Sequence, residues 1–155
     1  MRRGILLVIC LALLMCGGIA AAERSEQVGE SARQGFAEIL DLWRSEDYGR
    51  LYARLEHPQD MGWDYFAARI VYGSRVPACC WEQLQDVQTT VLGPDRVLIH
   101  AKVGFEIEGI GTRFVTRAFP LHREGGVWKL PLQLVLELSD INMQRVPREI
   151  YERQP

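Results

Sequence analysis

Two adjacent cysteines, Cys79 and Cys80, are the residues whose type and spacing most directly allow chemistry. In an oxidising compartment such a pair can close a strained vicinal disulfide, bond to another chain, or stay as thiols that are partly buried where the chain enters a strand. A redox or soft-metal role is the alternative, although no Cys-x-x-Cys spacing and no nearby histidine accompanies the pair. We expect Cys79 and Cys80 to form no bond to each other.

The remaining reactive side chains are dispersed along the sequence. His57, His100 and His122 lie far apart, so a metal site would need all three to converge. The sequence has neither a glycine-rich phosphate loop after a strand nor a Gly-x-Ser-x-Gly turn. We therefore assign no catalytic residue, metal ligand or cofactor. Asp86 and Arg117 are the charges that share an inward strand face, and we interpret them as a buried structural pair.

Residues 1–22 have the order of a secretory signal peptide. Two arginines precede an apolar run from Ile5 to Met15, and small residues end the segment at Ala22. This order predicts cleavage before Glu23 and a periplasmic or secreted protein. Lipidation at Cys16 and an uncleaved membrane anchor are the alternatives, and either would be the chain's only tie to a membrane.

Loss of this segment would remove two of the 18 basic side chains and leave all 20 acidic ones. The remaining arginines are scattered, which argues against a nucleic-acid partner. Residues 23–138 have the length of one domain with its own core, and 139–155 form a tail that is a short helix or a frayed end.

Apolar spacing predicts three amphipathic helices in the first half of the domain. The first covers 25–44. A cap within 45–47 starts a second, shorter helix that ends at His57. The third follows a cap at Asp60 and stops near Gly73.

Alternating apolar residues predict four strands in the second half, joined by short glycine-containing turns. In the second strand the odd-numbered residues are apolar, whereas His100, Lys102 and Glu106 lie on the opposite face. Pro131 indicates an edge or a bulge in the last strand. The links are short, so we expect an antiparallel meander. The four strands cover 84–92, 97–107, 112–122 and 127–138.

Three helices followed by a meander, with Asp47-Tyr48 opening the second helix and 123–129 forming the last hairpin, resemble the nuclear-transport-factor-2-like superfamily. The resemblance covers roughly 27–138. It implies an α+β cone in which the sheet wraps the first helix and leaves a pocket at the open end. The same fold serves ketosteroid isomerases, scytalone dehydratase and limonene epoxide hydrolase, and also binding domains without catalysis, so the fold alone does not choose among these functions.

Four aromatic residues are expected to line this pocket without a clear acid or base beside them: Trp43, Tyr48, Tyr52 and Trp128. We therefore expect an extracytoplasmic, non-enzymatic domain that binds a small apolar ligand or a partner protein. An isomerase, dehydratase or hydrolase is one alternative. The other is a structural subunit that forms a homodimer through its sheet, which a fully packed interior would favour.

Overall fold

The computed structural model describes residues 2–59 and 61–140, with side chains from Ala22 onward. Four helices and six strands make an α+β fold, and a single 3₁₀ turn, Cys80–Glu82, joins the second and third strands. In chain order the elements are α1 (Arg2–Arg44), α2 (Tyr48–Ala53), β1 (Leu55–Glu56), α3 (Trp63–Ile70), β2 (Arg75–Pro77), β3 (Leu84–Gly93), β4 (Arg96–Ile107), β5 (Gly111–Glu124), β6 (Val127–Pro131) and α4 (Leu132–Ser139).

Helix α1 lies across one face of the sheet and carries one buried stripe. Phe36 packs on Phe119 with ring centroids 4.7 Å apart, and Trp43 packs on Phe105 at 5.5 Å. Residues spaced three or four apart share a helix face, so the predicted stripe becomes the centre of the core. The helix ends at Arg44, as the spacing predicts, and Glu46 turns the chain with a φ of 57°.

The sheet is mixed, with order β1-β6-β5-β4-β2, and β3 also pairs with β4. Strands β3 to β6 form the antiparallel meander that the short links predict. Strand β1 pairs with β6 in parallel, and β2 takes up the edge of β4 beyond the end of β3. The odd-numbered residues of β4, from Val97 to Ile107, are all buried, as their alternation predicts.

The prediction of a fourth strand over 127–138 is wrong in its second half. Strand β6 stops at Pro131 and the chain continues as α4. Proline lacks the N–H that a ladder needs and has a φ suited to a helix start, and the leucines and glutamine that follow are good helix formers. The two-residue spacing of the leucines therefore concealed a helix that is buried on most of its surface.

The strand count of four is corrected to six because two short strands were not predicted. Strand β1 has two residues and β2 has three, so neither shows a period in the sequence. The second helix begins at its cap Asp47, whose side chain accepts from the Arg50 N–H. The predicted cap at Asp60 lies outside the described residues, as do positions 141–155 of the predicted tail, and Gly62 precedes α3.

The first helix is longer than predicted, because its backbone continues from the amphipathic segment back to Arg2. Within the described part of the chain, no helix combines the length and apolar character needed to cross a membrane.

Candidate functional site

Two of the four predicted pocket residues are core side chains that face different neighbours. Trp43 is fully buried against Phe105. Trp128 on β6 is also buried, and its indole N–H donates to Ser31 Oγ at 3.0 Å. Gly35 makes room for it, since a Cβ at that position would lie 2.8 Å from the Cβ of Trp128. The two indoles therefore hold α1 to the sheet.

The two tyrosines belong to the outer part of the same core. The Tyr52 hydroxyl donates to the Met61 carbonyl at 3.2 Å, while its ring stacks on His57 and packs against Phe66. Tyr48 is half-buried, and burial with the nearby Glu46 carboxylate raises the pKa of its hydroxyl. These contacts join α2, the loop after β1, and α3.

Helix α4 packs on the same face of the sheet as α1, where the family resemblance leads one to expect a pocket. Its buried side chains join the same core as α1 and the sheet: Leu132, Leu134, Val135, Leu136 and Leu138. Arg117 of β5 lies with its Nη1 atom 3.7 Å from Glu137 Oε2 of this helix. The helix thus fills space between α3 and the sheet.

The structure does not bring Asp86 and Arg117 together. Both lie beside Ala101, but on opposite sides of β4, so two strand spacings separate their backbones, about 10 Å. Asp86 is exposed at a register shift in β3 and has a φ of 52°. Arg117 faces Glu137 instead, whereas Asp86 is exposed on another strand.

One face of the sheet carries no helix in the described part of the chain, because α1 and α4 both pack on the other face. We call ten side chains in the middle of this uncovered face the outer face; Arg96 and Glu106 lie on the same side of β4, beyond the two ends of this set. The ten are Gln85, Gln88, Thr90, Leu98, His100, Lys102, Phe114, Thr116, Ala118 and Pro120. Lys102 is the one permanently charged member of this set, and its ammonium sits 4.3 Å above the Phe114 ring.

The centre of the outer face is His100, which is exposed. Its cross-strand neighbours are Gln88 on β3 and Ala118 on β5. The surface is therefore made of small, neutral and aromatic groups. The alternation in β4 predicts which of its residues face outward. The low charge of the outer face, however, follows only from the alignment of β3, β4 and β5.

The three histidines do not converge. His57 stacks on Tyr52, His100 lies on the outer face, and His122 Nδ1 is 3.0 Å from Glu56 Oε1. Among the described residues, no group of three or more histidine, cysteine, aspartate or glutamate side chains is arranged to hold a metal ion.

The two cysteines lie on a loop that both β2 and β3 anchor to Gly104 of β4. The Ala78 N–H donates to the Gly104 carbonyl at 2.8 Å, and the Gly104 N–H donates to the Gln83 carbonyl at 3.2 Å. Only glycine allows this approach, because a Cβ at residue 104 would lie 2.3 Å from the Glu82 carbonyl oxygen. The loop between these bonds carries the thiols at the sheet edge.

Cys79 and Cys80 are free thiols, one half-buried and the other exposed. Cys79 is extended, whereas Cys80 has a φ of 60°, which is uncommon for a residue with a Cβ. This turn breaks the alternation that would point adjacent side chains apart. The Cys79 thiol donates to the Cys80 sulfur, and that bond, with burial, raises the pKa of Cys79.

Arg44 is the nearest cation to the thiols, and sequence spacing gave no sign of it. Its Nη1 atom donates to the Pro77 carbonyl and to Glu106 Oε1, both at 2.8 Å. The bond to Glu106 raises the pKa of the guanidinium, and the charges of both cysteines act in the same direction.

A groove of about 680 Å³ lies next to this edge, between the β4–β5 turn and the segment before β2. Ser74, Val76, Glu106 and Thr112 are among the residues that line it, and none of the four predicted aromatic residues does. The Thr112 hydroxyl donates to Glu82 Oε2 at 3.0 Å, which ties the turn to the cysteine loop.

The comparisons with known proteins add no relative: the chain matches no family model and no curated protein.

Proposed function

We propose that the chain is an extracytoplasmic, non-enzymatic subunit that forms a homodimer through the outer face of its sheet. The observation that carries this proposal is a sheet surface with no covering helix in the described part of the chain, whose middle, between Arg96 and Glu106 on β4, carries Lys102 as its one permanent charge.

The packing of the interior supports a surface role over an internal pocket. Trp43 and Trp128 hold α1 against the sheet, and Tyr52 holds α2 against α3. The leucines of α4 occupy the space between these elements and the sheet. A ligand in the cone would have to displace well-packed side chains, which costs several kcal/mol per residue.

The composition of the outer face supports a protein partner. Interface centres are depleted in charged groups and accept aromatic and small neutral side chains. A symmetric dimer needs one patch that complements itself, and the outer face centred on His100 meets this requirement without opposing strong like charges at its centre. Lys102 lies beside the centre and its charge is directed over Phe114.

The proposal also includes an extracytoplasmic location and membership of a fold superfamily. The basic start, apolar run and small residues of 1–22 support export. The order of three helices and an antiparallel meander, with α1 packed on the sheet, supports membership of the nuclear-transport-factor-2-like superfamily. Its binding members are a closer parallel than its enzymes, because the described interior holds apolar side chains.

The test is the oligomeric state of the purified protein, measured by sedimentation equilibrium over a range of concentrations. We expect a dimer. His100→Glu should raise its dissociation constant at least about tenfold, because two carboxylates would be buried close together at the two-fold axis. The substitution sits on an exposed strand position, so the monomer should keep its fold.

Gln59→Glu is the matched control, since it adds the same charge at an exposed loop position away from the sheet. It should leave the dissociation constant unchanged. A monomer at all concentrations, or equal weakening by both substitutions, would overturn the proposal.

A further inference from the structure

The cysteine loop places two thiols in contact while giving them different surroundings. Cys80 is exposed and its sulfur accepts the hydrogen bond, whereas Cys79 is half-buried and donates it. The left-handed turn at Cys80 and the bonds of Ala78 and Gln83 to Gly104 fix this arrangement. The Cys80 sulfur is therefore the more accessible to a reagent, and the Cys79 sulfur lies beside it, partly buried.

One positive charge lies beside the cysteine loop. Arg44 is held by the Pro77 carbonyl two residues before Cys79, and its guanidinium interacts favourably with both sulfurs. A nearby guanidinium stabilises a thiolate, and the thiolate is the species that attacks a disulfide. The carboxylate of Glu106 holds Arg44 from the other side at 2.8 Å.

We propose that Cys79 and Cys80 form a thiol–disulfide exchange site for small disulfides, with Cys80 as the attacking thiol and Cys79 as the resolving thiol. This role is separate from dimerisation, because the loop lies at the β2–β3 edge of the sheet and the proposed interface is centred on His100.

The exchange takes two steps. The Cys80 thiolate attacks one sulfur of the disulfide, whose S–S bond breaks and releases one thiolate. Cys79 gives its proton to that thiolate and attacks the Cys80 sulfur, which releases the second thiolate and closes a Cys79–Cys80 disulfide. The protein loses two electrons and two protons, and the small disulfide becomes two thiols. The eight-membered ring is strained, and a small thiol such as glutathione would reopen it by the reverse exchange, with its own oxidation to the disulfide.

Reaction of the reduced protein with glutathione disulfide, followed by mass analysis of tryptic peptides, tests both roles. The peptide 76–96 contains this pair and separates it from Cys10 and Cys16. In the wild type this peptide should lose the mass of two hydrogens and carry no glutathionyl group. In Cys79→Ser it should keep one glutathionyl group on Cys80, because no thiol is present to resolve the mixed disulfide.

In Cys80→Ser, modification of Cys79 should be at least about tenfold slower than modification of Cys80 in Cys79→Ser. The same two variants unfolded in urea should react at similar rates, since the difference arises from the fold. Equal rates in the folded variants, or a glutathionyl group that persists in the wild type, would overturn the proposal. Alkylation of the folded wild type, mapped on the same peptide, should label Cys80 first and needs no substitution.

Discussion

Gly104 allows the β2–β3 connection to lie against β4. The hydrogen bonds on both sides of this residue depend on a contact that a side chain would block. We expect Gly104→Ala to lower the free energy of unfolding by about 1–3 kcal/mol, because the Glu82 backbone must move away. Chemical denaturation measures the change.

Gly93→Ala is the control for this prediction, since a Cβ at Gly93 would meet no atom within 4 Å. It should change the free energy of unfolding by no more than about 0.5 kcal/mol. If the two alanine variants were equally stable, the close approach of the loop to Gly104 would be wrong.

The β5–β6 hairpin carries an ion pair whose effect on pKa is measurable. Lys129 Nζ lies 2.6 Å from Glu124 Oε2, and this bond holds the pKa of Glu124 below its ordinary value. The pair thus stabilises the fold above the ordinary glutamate pKa and loses this effect as the pH falls through the lowered one. Lys129→Gln should raise the pKa of Glu124, as measured by an NMR titration of its carboxyl group.

Glu30 provides an internal control in the same titration. Arg33 and Gln34, its neighbours on α1, lower the pKa of Glu30, and Lys129 is not among the groups that shift it. That pKa should not change in Lys129→Gln. An unchanged pKa of Glu124 would mean that the ion pair does not form in solution.

Single residues differ in how far the sequence predicts their surroundings. The outward positions of His100 and Lys102 follow from the alternation in β4, because a strand fixes the face of every second residue. The approach of Arg44 to Cys79 does not follow from any local pattern, since 35 positions separate them and only the packing of α1 on the sheet edge joins them.

At the level of elements, α4 shows how a two-residue period misleads. Leu130, Leu132, Leu134 and Leu136 alternate as in a strand, but Leu132, Val135 and Leu136 also have helical spacing. Helix and strand patterns coincide when most positions are apolar, and burial on most sides then removes the polar face that would distinguish them. The three N-terminal helices keep such a face, so their spacing predicts them.

Val135 distinguishes the two structures by experiment. A strand would place it beside Gln133 and Glu137 on the polar face, whereas in α4 it is fully buried. We expect Val135→Ala to lower the free energy of unfolding by about 2–3 kcal/mol, through lost apolar burial and the cavity that remains. Gln133→Ala should change it by no more than about 0.5 kcal/mol. Equal, small effects in denaturation experiments would favour the strand.

For the whole molecule, export is the first property to test. We expect the N-terminus of the protein recovered from an extracytoplasmic fraction to be Glu23, as read by N-terminal sequencing. The core contacts of α1 begin near Val28, so cleavage would leave them in place. Ala22→Phe should block processing, because the peptidase needs a small residue there. Ala21→Phe, at the tolerant middle position, should be processed normally; a block in both variants would contradict this cleavage site.

The fold class of the molecule was predictable and its candidate sites only in part. Helical and alternating periods separate the two halves of the domain, which is enough to predict an α+β fold. The aromatic residues of the predicted pocket are buried, as their spacing indicates, but the position of α4 decides whether they border a cavity. That position depends on long-range packing, which one sequence does not reveal.

The irregularity of β3 at Asp86 interrupts an exposed edge of the sheet. Strand β1 pairs with the edge of β6, so β3 has the long unpaired edge of the described sheet. An intact edge of this length would recruit a strand from a second molecule and propagate into aggregates. The left-handed Asp86 interrupts the row of hydrogen-bonding groups and places a carboxylate there. Asp86 thereby protects the edge against strand-to-strand aggregation, and we expect two molecules to meet through the outer face instead.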